Sequence, residues 1–214
     1  MAETAPGKKR RTQAERTAET REALLDAAIR LLYRNGYGGT STEAISEEAG
    51  VTRGALQHHF GTRPQLMAEV IGTVYERERL AYAQIAADTG RGTHLSDWPE
   101  MLWEVLSRPS GLAVLEILQA SRSDPELAAL VAPMQARVEQ MSLDSIREQF
   151  GSGDDAGLLA GMRLFVWAAR GLSIAQVLAP NPEEMRRSID FLKRLVDGAI
   201  SAGAIDSHGR APPG

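Results

Sequence analysis

Apolar residues recur along this chain at three- and four-residue intervals, and nowhere do they alternate for long enough to make a strand. The pattern predicts nine helices and no sheet. The first runs from Thr12 or Arg16 to Arg34, with Ala23, Leu24, Ala27, Ala28, Leu31 and Leu32 on its apolar stripe. Thr12 and Glu15 have the spacing of a capping box, and "NGYGG" at 35–39 stops the helix. Two short helices follow, over 42–49 and 52–59. Thr40 with Glu43 has capping-box spacing for the first of them, with Ser41 as the alternative cap. Gly50 ends it, and Thr52 caps the next. A long fourth helix begins at Thr62, where Gln65 completes another box and Pro64 suits a first turn. Further helices are expected over 97–107, 110–122, 125–150, 155–178 and 183–203.

The fold class is therefore all-α. We expect a three-helix N-terminal head over 16–62 and a larger helical body over 63–204. A disordered basic arm (1–15) and a flexible tail (205–214) would flank them.

The head contains a recognisable unit. Ile45, Ala49, Val51 and Leu56 are placed to pack two short helices across a tight turn, and Gly50 permits the left-handed backbone there. This is the helix-turn-helix arrangement, whose second helix enters the DNA major groove. It raises a question about "GVTRGALQHHF" at 50–60, which puts a glycine and two adjacent histidines into that helix. A glycine there costs about 1 kcal/mol against alanine. Pressed against DNA, Gly54 would let the backbone approach where a side chain would hold it away. Thr52 can give its hydroxyl to a phosphate while capping. Arg53 suits a phosphate or a guanine edge. Ala55 and Gln57 are placed to touch bases, with Ser41 and Thr42 as further phosphate candidates.

Charge sharpens this picture. The net charge of −4 argues at first against nucleic acid. Residues 1–63, however, carry ten Lys/Arg against eight Asp/Glu, and the remainder fourteen against twenty. A mildly basic head on an acidic body puts any polyanion at the head. The "KKRR" run at 8–11 supplies much of this, as a groove-brushing arm or a solubilising tail.

Other chemistries fit poorly. Adjacent helical residues such as His58 and His59 point about 100° apart, whereas paired metal ligands on a helix want i,i+4 spacing. Glu47 and Glu48 could join such a site only by fortunate folding. The absence of cysteine removes thiol ligands and nucleophiles and fits a reducing cytoplasm. No G-x-S-x-G, P-loop or H-E-x-x-H pattern occurs, so no enzyme, metal or cofactor is expected. Arg163 and Arg170 interrupt the longest apolar run, 158–178, which argues against a membrane span. A cytoplasmic protein is expected.

Together, "RNGYGGTS" and "ISEEAGVTRGALQHHFGTRPQL" closely resemble the DNA-binding head of the TetR (tetracycline repressor) family, over roughly residues 16–70. The resemblance implies a one-component regulator that binds a palindromic double-stranded DNA operator as a homodimer and is released by a small-molecule effector. It implies phosphate contacts from His59 and Arg63 and a base or sugar contact from His58. One departure is Gln57, where the family commonly has tyrosine. An activator with the same head, or a ligand-binding or enzymatic body with a vestigial head, are the alternatives.

In the body, Gly157, Gly161, Ala168, Gly171 and Ala175 place small residues along one face of the helix over 155–178. Met185, Ile189, Leu192, Val196, Ala199 and Gly203 line an apolar face of the last helix. The resemblance implies that these two helices pair with a second copy as a four-helix bundle. Gly161, Ala168, Gly171, Ala175, Ile189, Leu192 and Val196 are the expected contacts. Large adaptable side chains that can line an effector pocket are Trp98, Met101, Trp103, Leu115, Met134, Met141, Met162, Phe165 and Trp167, with Gln119 and Arg122 as polar partners. The same residues at helical spacing also suit a plain core.

Overall fold

The computed structural model describes residues 12–150 and 155–202. Most of the expected arm, the tail beyond 204 and the end of the last helix at 203 lie outside them. Nine α-helices run through the described residues: α1 (Gln13–Asn35), α2 (Thr42–Ala49), α3 (Arg53–Phe60), α4 (Arg63–Thr89), α5 (Trp98–Leu106), α6 (Pro109–Ser121), α7 (Pro125–Phe150), α8 (Asp155–Leu178) and α9 (Pro182–Ser201). One 3-10 turn, Leu95–Asp97, precedes α5.

The caps explain the boundaries. Thr12 Oγ1 accepts from the Glu15 N–H at 3.2 Å, and Glu15 Oε2 accepts from the Thr12 N–H at 2.7 Å. This reciprocal box starts α1 at Gln13, the Thr12 alternative of the two expected starts. Thr62 and Gln65 cap α4 in the same way. At α2 the cap is Ser41, which accepts from the Ala44 N–H at 3.1 Å. Thr40 is buried instead and donates to the Gly36 carbonyl at 2.7 Å, so the Thr40–Glu43 box is not formed.

Two cores organise the packing. The first joins the inner faces of α1, α2 and α3 to Leu66, Met67, Val70, Ile71 and Val74 of α4. It continues without a break into Ala113, Val114 and Ile117 of α6 and Leu127 and Val131 of α7. The head is therefore not packed as a separate unit ending at 62, because α1 is apolar on two sides and α6 covers the second. The second core gathers Leu102, Leu106, Phe165, Ala169 and Val196, with Tyr82, Trp98 and Leu192 against it.

Between these apolar cores lies a buried polar cluster. Glu78 of α4 is buried, and its Oε1 has no hydrogen-bond partner. Burial pushes its carboxyl up to about 7, against the pull of Arg170 and Arg108. Arg170 of α8 is buried as well, and its Nη1 donates to the Gly111 carbonyl at 3.3 Å. Gly111 is required there, since a Cβ would sit 2.1 Å from the Leu106 carbonyl oxygen.

The sign of the Glu78 contribution follows from linkage. The folded state holds this proton more tightly than an ordinary carboxyl of 4.5 does, so stability falls as pH rises from 4.5 through about 7. Above that range the ionised form costs on the order of 3 kcal/mol. Glu78→Gln is expected to stabilise the protein by about that amount at high pH and to leave it unchanged in mild acid. Urea titrations on either side of neutrality check this, and equal stabilisation at both pH values would contradict it.

Candidate nucleic-acid interface

The turn between α2 and α3 is made by Gly50 in the left-handed region (φ 67°, ψ 30°), with the Val51 N–H donating to the Ser46 carbonyl at 3.0 Å. Ile45 and Leu56 are buried on either side of it, and Ala49 and Val51 pack half-buried against the same core. Leu56 and Phe60 anchor the inner side of α3. With that side fixed, Thr52, Arg53, Gly54, Gln57 and His58 are left exposed on the opposite side. The first turn of α3 carries no acidic residue, so its N-terminal amides present unopposed partial positive charge.

Individual positions follow from this geometry. Thr52 Oγ1 accepts from the Ala55 N–H at 3.2 Å, and that bond leaves the hydroxyl hydrogen free to be donated elsewhere. Gly54 has negative φ, and a Cβ added there would meet only Thr52 Oγ1, at 3.9 Å. The fold itself therefore does not demand glycine at 54. Arg53 pairs with Glu43 across the two helices at 2.7 Å, both side chains well exposed. Such a pair is worth about 0–1 kcal/mol, little to forfeit when a phosphate or guanine competes for the guanidinium. Sequence spacing pointed to Glu43 as half of a cap; nothing local signalled the pair, since Glu43 and Arg53 lie on different helices. Ser41 is exposed, whereas Thr42, Ala55 and His59 are half-buried, which restricts them to the rim. Burial, the neighbouring His58 and Arg21 all lower the His59 pKa, so the ring is uncharged near neutral pH and offers an N–H rather than a charge.

Arg63 is held within the head by its guanidinium. Its guanidinium lies over the Tyr37 ring, 3.8 Å from the centroid. Its Nε donates to the Thr40 carbonyl at 2.9 Å and its Nη2 to the Tyr37 carbonyl. It fastens the start of α4 to the α1–α2 turn. From the body side, Glu116 of α6 accepts the Tyr37 N–H at 2.9 Å. Glu48 does not join the histidines, because Arg30 and Arg34 of α1 hold its carboxylate.

Residues 24–70, which contain all of α2 and α3, match the model of bacterial regulatory proteins of the tetR family. The HTH-type transcriptional regulator CymR of Pseudomonas putida is 31% identical over 84% of this chain and 90% of its own length. The chain belongs to the TetR family. The HTH-type transcriptional repressor AcnR of Corynebacterium jeikeium is 29% identical over 64% of this chain and 68% of its own. A TetR-family regulator from Rhodococcus sp. has the same fold, with a TM-score of 0.66 at 21% identity over 85% of this chain and 98% of that one. This TetR-family protein is a DNA-binding transcriptional regulator. Among its described residues no helix is long and apolar enough to cross a membrane.

The body of this TetR-family chain departs from the sequence expectations. Met101, Leu115 and Phe165 are buried and Trp98, Trp103, Met134 and Met162 half-buried, but Gln119, Arg122, Met141 and Trp167 are exposed. Those four cannot line an enclosed pocket, because helical periodicity does not tell an inner apolar face from an outer one. An open groove of about 390 Å³ between α1 and α4, lined by Glu22, Glu69, Gly72, Thr73, Glu76 and Arg77, contains none of the expected residues. On α9, Ile189 and Val196 are only 3% exposed, and Val196 packs with Leu192 in the second core. They are intramolecular, not free for a second copy. The outward face of α9 carries Phe191 and Leu195 instead, 56% and 54% exposed. On α8, Gly161 and Gly171 have open space where a Cβ would stand, and Ala168 and Ala175 are half-buried. Leu164 and Leu178 continue the same row of the helix, 64% and 79% exposed.

Arg53→Ala should weaken operator binding by about 1–3 kcal/mol while leaving stability within about 0.5 kcal/mol. Anisotropy titration paired with thermal melting checks this, and intact affinity would remove Arg53 from the interface.

Proposed function

We propose that the protein is a repressor that binds a near-palindromic operator as a homodimer and is released when a small molecule binds its helical body. The division of labour is a head around 16–62 for DNA and the remainder for the effector and the second copy. The observation that carries the reading is the exposed side of α3, where a capped helix N-terminus, Arg53 and an uncrowded Gly54 lie together. Thr52 and Ser41 are assigned to phosphate, with Thr42 and His59 at the rim. Arg53, Gln57 and His58 are assigned to base edges or sugar, and Gly54 to close approach by the backbone.

The dimer reading rests on the outward apolar row of α8 and α9. Leu164, Trp167, Ile174, Val177, Leu178, Phe191 and Leu195 are exposed in the single chain. Contiguous apolar exposure of this kind marks an interaction surface. A two-fold pairing of these helices makes a four-helix bundle and presents two recognition helices about 34–36 Å apart, one duplex turn. Doubling the contacts is what makes one eight-residue helix sufficient for specificity.

Release requires that the effector bind better to a conformation whose heads no longer match that spacing; equal binding to both shifts nothing. Two connections can carry the change. The α4 helix runs unbroken from Arg63 at the head to Thr89, about 40 Å at 1.5 Å per residue. The α6 helix holds Tyr37 through Glu116.

Selection of bound fragments from a random duplex pool tests the proposal. It predicts a palindromic consensus, an even number of protomers per duplex, and affinity that falls steeply with salt. A consensus without symmetry, bound by one protomer, would overturn the dimeric reading.

A further inference from the structure

The body holds charge where apolar packing would serve stability better. Arg170 is buried, yet its one hydrogen bond among the described residues is a 3.3 Å contact to a backbone carbonyl, and no carboxylate there is in ion-pair contact with it. A buried guanidinium that lacks an ion-pair partner is costly. Glu78 is the nearest anionic influence, but its Oε1 is unpartnered. Trp98 Nε1–H is another buried group without a partner, on a ring that packs against Tyr82 with centroids 5.9 Å apart. Tyr82, one turn from Glu78 on α4, feels both Glu78 and Arg170. Three helices, α4, α5 and α8, thus bring Glu78, Tyr82, Trp98 and Arg170 to the border of the second apolar core, with Arg108 on the α5–α6 turn acting on Glu78 from the exposed side.

Among the described residues the buried atoms without a partner are Glu78 Oε1, Trp98 Nε1 and Gln176 Oε1, and the charge around Glu78 is net positive, from Arg170 and Arg108. A bound cation would pair with Glu78 but would add positive charge beside Arg170 and Arg108, and would leave the arginine and tryptophan donors unmet. A bound anion satisfies Arg170 by a charge-assisted pair and gives the other donors an acceptor. Its charge would clash with an ionised Glu78, which is relieved when that carboxylate takes a proton from solvent.

We propose that Arg170, Glu78, Tyr82 and Trp98 form the receptor for an organic anion, a carboxylate on an apolar or aromatic frame, and that Glu78 takes up one proton as it binds. This rests on the effector-gated reading above and names the class of effector. The assignment also gives the ligand a route to the head. Glu78 and Tyr82 lie on α4, the helix that Arg63 fastens to the α1–α2 turn. Arg170 grips Gly111 on α6, the helix whose Glu116 holds Tyr37. A carboxylate that draws Arg170 from the Gly111 carbonyl acts on both connections.

The test uses the whole chain at a pH about 1.5 units above the Glu78 value of about 7, and three probes that share one ring system: 2-naphthoate, 2-naphthylmethylamine and 2-naphthylmethanol. Calorimetry in buffers of different ionisation enthalpy reads affinity and proton exchange together. Naphthoate is expected to bind at least about tenfold more tightly than the other two. It should take up close to about one proton per site. Glu78→Gln should abolish the proton uptake. Arg170→Met should lose the preference for the anion. Tighter binding of the amine or alcohol, or naphthoate binding with no proton uptake, overturns the inference. So does failure of all three to bind at millimolar concentration. Operator titrations on the same preparation separate the outcomes. Release of DNA by the amine or alcohol overturns the anion assignment and leaves effector gating standing. Loss of operator recognition itself would fall on the functional reading.

Discussion

Arg63→Ala should destabilise the head by about 3 kcal/mol, well beyond the loss of any one exposed ion pair. The guanidinium makes two charge-assisted bonds to carbonyls and a stacking contact on Tyr37. Bonds to charged groups contribute about 1.5–3 kcal/mol each, a desolvated cation–π contact up to about 2, and the three share one ordering cost. Removal also leaves the Tyr37 and Thr40 carbonyls without this donor in a part-buried turn. Lysine should not restore the loss, since a single ammonium cannot reach both carbonyls while lying flat on the ring. Urea unfolding of the alanine and lysine variants checks both statements. A variant of full stability that binds DNA weakly would instead return Arg63 to the phosphate contacts.

The second large effect is expected at the outward row of α8 and α9. Phe191→Glu with Leu195→Glu should convert the protein to a monomer at micromolar concentration. Operator affinity should fall by about 100-fold or more, because each recognition helix then binds alone. Both side chains are more than half exposed in the single chain, so the monomer fold should survive with its helicity and melting cooperativity intact. Sedimentation together with anisotropy on the selected duplex reads the two outcomes. A double variant that remains dimeric moves the interface to another surface.

The elements were readable from the chain because caps and stops are local. Thr12–Glu15, Ser41, Thr52, Thr62–Gln65 and Gly50 mark helix ends through bonds within four residues, and each stands where the spacing places it. The helix-turn-helix was readable for the same reason. What failed was any reading that required knowing which face a helix turns inward. Ile189 and Val196 lie on one apolar stripe of α9 and Phe191 and Leu195 on another, and only tertiary packing buries the first pair. The structural bonds of Arg63 were hidden because its partners, Tyr37 and Thr40, are more than twenty residues away in sequence. Arg170 was visible as a charge in an apolar run, but nothing local tied it to Glu78, which comes from another helix. The unbroken core from α1 to α7 had no sequence marker either, since a helix apolar on two sides does not announce its second neighbour.

The proposed recognition rests above all on the α3 backbone at Gly54 lying flush in the groove. Gly54→Leu addresses this directly, because the folded chain has room for a side chain there and helix propensity favours one. The measurement is the affinity of the variant for the duplex selected by the parent protein, alongside its melting temperature. We predict melting at or above the parent value, with specific binding lost by about 100-fold or more, roughly the scale of two disrupted half-sites. Parent-like affinity from a folded Gly54→Leu variant would contradict the placement of α3 against DNA.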